Sequence, residues 1–114
     1  MDAKQNGFRF SALTLLCFAS LAFFAVPARS QTGGDALFQK KCSVCHGTDG
    51  KGATAVGKAD KVRDLSSAEV QAQSDADLTT IITSGKGKMP AYGKSLKPDD
   101  VKGLVTYVRS LAKK

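Results

Sequence analysis

The segment Lys41-Cys42-Ser43-Val44-Cys45-His46-Gly47 constrains this chain more than any other. It gathers two of the three cysteines and the sole histidine into five residues. Thiols two residues apart cannot tie distant parts of a fold together, and a disulfide between them would close too small a loop to add much stability. A structural zinc site needs four ligands, typically as two separated pairs, and no second Cys or His pair exists beyond residue 30. A thioredoxin-like dithiol belongs at a strand-to-helix junction, whereas nothing here alternates with period two over a useful length. Covalent attachment of a c-type haem fits the spacing. Thiols one helical turn apart can add across the two vinyl groups of one porphyrin, and the imidazole that follows projects at the iron.

The first thirty residues carry a different message. Lys4 and Arg9 precede Phe10–Val26, seventeen residues without a charge, and small residues follow in Val26-Pro27-Ala28-Arg29-Ser30. This is the pattern of a signal peptide over residues 1–30, with cleavage expected near 28–31. The rival is a retained membrane anchor over residues 10–26, whose helix would span about 26 Å against roughly 30 Å of hydrocarbon. Cys17 leaves with the leader. Export places the remaining domain, residues 31–114, in the periplasm, where c-type haem attachment is at home.

Eighty-four residues bury little core of their own and call for internal support. With no disulfide framework available, a large apolar cofactor is the support that the cysteine motif offers. Without residues 1–30 the chain keeps 14 of its 17 basic and 9 of its 10 acidic side chains, a net of +5. That excess suits solubility or an acidic partner. Export and the absence of a basic run longer than two residues exclude nucleic acid.

An all-α fold of about four short helices is expected. The first starts with Asp35 as N-cap and runs to about Cys45. Residues 47–61 hold four glycines and are expected to form neither helix nor strand. Ser66-x-x-Glu69 and Ser74-x-x-Asp77 read as capping boxes for helices near 67–72 and 75–84, the second ending at Gly85. Pro98, Asp99 and Asp100 open the last helix, in which Val101, Leu104, Val105, Val108, Leu111 and Ala112 share one face.

Three segments together resemble the class I c-type cytochromes, small monohaem proteins, over essentially all of 33–112. They are GGDALFQKKCSVCHG, GKGKMPAYG and LKPDDVKGLVTYVRSL. The resemblance implies a cytochrome c fold wrapped around one covalent haem c held by thioether links through Cys42 and Cys45. It implies first and last helices that cross, with Gly34 and Phe38 meeting Gly103, Leu104 and Tyr107. It also implies an axial methionine in the second segment. One departure stands out: many members have a proline soon after the haem motif whose carbonyl orients the proximal imidazole, and here no proline lies between 28 and 89. Another carbonyl within 47–65 is expected to hold His46.

Counting side chains bears on the far side of the iron. With a single histidine, two imidazole ligands within one molecule are impossible, and of the two methionines Met1 lies outside the domain. Met89 is therefore the candidate sixth ligand, the alternative being a core gap-filler. The cofactor-binding set is Cys42, Cys45, His46 and Met89, with His46 and Met89 on the metal. Two strong-field ligands keep the geometry of both oxidation states similar and leave no open position. The chain is then a monomeric electron carrier and not an enzyme, taking electrons from a membrane or periplasmic dehydrogenase and passing them to an oxidase or reductase. The alternative is a haem enzyme or gas sensor with a labile sixth ligand.

Expected linings of the haem pocket are Leu37, Phe38, Val44 and Leu65, then Leu78, Ile81, Ile82, Tyr92, Leu96, Leu104 and Val105. Arg63 and Tyr92 are candidates to bond the propionates. Lys40, Lys41, Lys51, Lys86, Lys88 and Lys94 flank the two ligand-bearing segments and are candidate docking cations for acidic redox partners.

Overall fold

A computed structural model describes residues 33–112; the expected leader and its cleavage site lie outside them. Among the described residues there are six helices and no strand: α1 (Gly34–Lys41), α2 (Ser43–His46), α3 (Ala55–Ala59), α4 (Ala68–Gln71), α5 (Asp75–Ser84) and α6 (Pro98–Leu111). None is long and apolar enough to cross a membrane.

The count exceeds four for two local reasons. Ser43 donates its hydroxyl to the Gln39 carbonyl at 2.6 Å, competing with the backbone ladder, and the helix breaks at Cys42 into α1 and α2. Asp35 is not the N-cap but lies in the first turn, with Gly33 at the cap. The second addition, α3, falls inside the stretch expected to be irregular. Thr54 caps it by accepting from the Gly57 amide at 2.9 Å. Gly57, a poor helix former, is required because a Cβ there would run into the Cys45 and Gly52 carbonyls.

The other starts are largely as the sequence indicates. Ser74 and Asp77 form a reciprocal capping box, each amide bonded to the other side chain at 3.0 Å. Gly85, at φ 76°, ends α5. Asp100 accepts from the Lys97 amide at 3.0 Å at the head of α6. The cap of α4 is Ser67 and not Ser66, which instead bonds Asp64. Ala112, expected on the buried face of α6, is its exposed C-cap.

α1 packs across α6 at a point where both backbones are bare. A Cβ on Gly34 would strike the Gly103 carbonyl, and one on Gly103 would lie 3.3 Å from the Gly34 nitrogen. Beside this contact Phe38 packs against Tyr107 with ring centroids 4.7 Å apart and the planes tilted by 43°. Phe38, Leu78, Ile82, Val101, Leu104, Val105 and Val108 belong to one core; burying each such side chain contributes about 1.5–3 kcal/mol. No hydrophobic side chain between Phe38 and Val70 is buried. Arg109 ties α6 to the α4–α5 connection through the Gln71 and Gln73 carbonyls and the Asp75 carboxylate.

Candidate haem cavity

Between the helical core and the poorly cored stretch lies a cavity of about 430 Å³, within the usual range for small-molecule and cofactor sites, about 300–1,000 Å³. Cys42, Cys45 and His46 line it from the α1–α2 junction, and Met89 lines it from the segment after α5. The four candidate ligands, 47 positions apart at the extremes, thus share one space.

The first three are held by α2 and its surroundings. The Cys42 carbonyl accepts from the Cys45 and His46 amides at 3.2 and 3.0 Å. Thr54 donates its hydroxyl to the Cys45 carbonyl at 3.1 Å, and the Gly52 amide donates to the His46 carbonyl at 2.7 Å. No disulfide joins Cys42 to Cys45. Burial raises the Cys42 pKa, an effect that Lys41 opposes. Burial lowers that of His46, which favours the neutral imidazole a metal requires. Its Nδ1 is buried and has no hydrogen-bond partner. The carbonyl expected within 47–65 to orient His46 is therefore not in place; the loop instead donates to the Cys45 and His46 carbonyls.

Met89 closes a tight turn. Its amide donates to the Lys86 carbonyl at 3.0 Å, and the Lys86 amide donates back to the Met89 carbonyl at 3.1 Å. Gly87 at φ 56° permits the reversal. Beyond Pro90, the Tyr92 and Gly93 amides return to α5 by bonding the Ile82 and Thr83 carbonyls, both at 3.0 Å.

Phe38, Leu65, Leu78, Ile81, Ile82 and Leu104 line the cavity as expected, as does Tyr92. Burial raises the Tyr92 pKa, and the cysteine sulfurs add to the shift. Val44 is a correction. It stands 66 % exposed, on the side of α2 away from the cavity that Cys45 and His46 line. Leu96 and Val105 are buried in the core, and Leu37 packs against it; none of the three lines the cavity. Sequence reasoning missed Val62, Val70, Gln73 and Val108 as linings. Only Val108 carried a signal, through the apolar face of α6.

The charged lining is lopsided: Lys41, Lys61, Arg63, Lys86 and Lys88 face one acid, Asp60. Arg63 also pairs with Glu69 at 3.1 Å. Of the six lysines singled out in the sequence, Lys41, Lys86 and Lys88 line the cavity, while Lys40, Lys51 and Lys94 are exposed elsewhere. Two thiols one turn apart, a neutral imidazole and a thioether on apolar walls form a donor set that fits a covalently held haem.

Known proteins bear on this geometry. A family model described as cytochrome c oxidase, cbb3-type, subunit III matches residues 29–108. Cytochrome c6 from Gloeothece citriformis is 38% identical over 82 residues, covering 71% of each chain. Cytochrome c6 from Rippkaea orientalis is 34% identical over 110 residues, covering 91% of this chain and 94% of that protein. Among solved structures, the KustC0563 c-type cytochrome superposes with a TM-score of 0.64 at 35% identity, covering 68% of this chain and 95% of that one.

Proposed function

Since the chain belongs to the class I c-type cytochromes, whose members carry one covalently bound haem c, we propose that it is a one-electron carrier. In this reading Cys42 and Cys45 would hold the haem by thioether links, and His46 and Met89 would ligate its iron. The observation that carries the reading is the convergence of those four side chains on one cavity from two separate segments. When bound, the group supplies an iron that passes between ferrous and ferric states.

The protein's own residues set how that iron behaves. A histidine and a thioether raise the reduction potential, the soft sulfur favouring the ferrous state. With both His46 and Met89 on the metal, no position would be left for oxygen or peroxide. Apolar walls from Phe38, Leu78, Ile82 and Leu104 keep water away, and a fixed ligand cage keeps reorganisation small when the charge changes.

The domain acts in the periplasm after removal of residues 1–30, taking electrons from a dehydrogenase complex and delivering them to a terminal oxidase or reductase. The oxidase subunit named by the matching family supports the acceptor side of this assignment. Partners of acidic surface dock at the cavity mouth, where Lys41, Lys86 and Lys88 stand among five cations and one acid.

Optical spectra of the ferric protein test the ligand assignment. A sulfur-to-iron charge-transfer band is expected in the wild type and absent from Met89→Ala. Rapid and complete carbon monoxide binding to the reduced wild type at neutral pH would instead mark a haem enzyme or gas sensor with a labile sixth ligand.

A further inference from the structure

Asp60 is the one acid among the cavity-lining residues, and its carboxylate lies 3.8 Å from the Lys88 ammonium. The pair joins two segments between which no other ion pair or backbone hydrogen bond runs among the described residues. Asp60 caps the end of α3, where Lys61 takes the left-handed conformation at φ 53° and the Val62 amide bonds the Gly57 carbonyl at 2.8 Å. That reversal keeps Asp60 on the rim. Lys88 sits in the Lys86–Met89 turn, next to Met89 itself. The base of this loop is fastened to α5 through Tyr92 and Gly93. Its tip is exposed, and Asp60–Lys88 is the one ion pair it makes among the described residues.

We propose that Asp60 and Lys88 form a clasp across the cavity mouth that positions the Met89 turn and sets how often the thioether leaves the metal. The proposal rests on Met89 being the axial ligand. Its charge logic is asymmetric. Neutralising Asp60 removes an attraction and also leaves Lys61, Lys86 and Lys88 facing one another across the mouth with no acid between them. Neutralising Lys88 removes the attraction but relieves that repulsion too. Asp60 is therefore the more sensitive partner.

The test uses the ferric holoprotein with imidazole as the entering ligand, at concentrations where methionine departure limits the rate. Asp60→Asn should raise that limiting rate about two- to fivefold at low salt, and Lys88→Gln should raise it less. Wild type should speed up with added salt, whereas Asp60→Asn should slow as its exposed repulsion is screened. Exchanging the two charges, Asp60→Lys with Lys88→Asp, should bring the rate back towards wild type.

An unchanged rate in Asp60→Asn overturns the clasp. So does an increase of equal size at low and high salt, which would mark a packing defect. The charge-transfer band separates the two readings. A wild-type band lost in Met89→Ala upholds the ligand whatever the imidazole rates show, while a wild type without the band overturns ligand and clasp together.

Discussion

The two walls of the cavity are built on different principles. On one side α1 crosses α6 through the bare backbones of Gly34 and Gly103, flanked by Phe38 and the buried face of α6. On the other side, residues 39–69 contribute no buried hydrophobic side chain and are shaped by turns: Gly47, Gly50 and Gly52 at positive φ, Thr54 on the Cys45 carbonyl, and the Leu65 amide on the Gly50 carbonyl at 2.9 Å. The first wall carries its own interior. The second has backbone order without apolar mass, and the group held between the walls has to supply the rest.

The sharpest way to break this contrast is to deny the second wall its filling. Replacing Cys42 and Cys45 by Ser should disorder the second wall while leaving most of the far-ultraviolet helix signal of the purified protein, which α1, α5 and α6 carry. Trypsin should then cut at Lys51, Lys58 and Lys61 well before any bond in α6. Equal cleavage of both walls would show that they depend on the cofactor alike.

The next effect falls on the first wall. Gly34→Ala drives a methyl group into the Gly103 carbonyl, and overpacking at so close a backbone contact should cost about 3 kcal/mol in denaturant unfolding. The same substitution at Gly33, where nothing lies within 4 Å, serves as the control and should be nearly silent. Arg109→Met is expected to follow at about 2 kcal/mol. It keeps the stem but strands the Gln71 and Gln73 carbonyls and unpairs Asp75. The smallest effect has the opposite sign. Lys61→Gly removes a left-handed lysine and should raise stability by about 0.5–1 kcal/mol, read as a shift of the denaturation midpoint at constant slope.

What was legible in the sequence divides along the same line. The Cys-x-x-Cys-His motif, the Ser74 capping box and the apolar stripe of α6 are local patterns whose physics acts within a few residues, and they could be read directly. The placement of Met89 in the cavity came from counting side chains and from a resemblance. α3 was not legible, because Gly57 looks like a helix breaker until the Cys45 carbonyl that excludes a Cβ is known. Val44 was assigned to the pocket for its apolar side chain, but two residues on from Cys42 it lies about 200° around the helix and faces away. The orphaned Nδ1 of His46 and the pairing of Asp60 with Lys88 depend on loop paths between distant positions. No periodicity encodes those.

The crossing of α1 and α6 also has a kinetic consequence. Gln39 bonds the Tyr107 hydroxyl at 3.3 Å across a separation of 68 residues, and closing a loop of that length costs roughly 4 kcal/mol of chain entropy. Neither α1, with 8 residues, nor α6, with 14, is long enough to persist alone in water. The two ends of the domain must therefore form together, in one cooperative event that has the whole cofactor-bearing middle as its loop. Truncation inside either end helix removes the partner that stabilises the other.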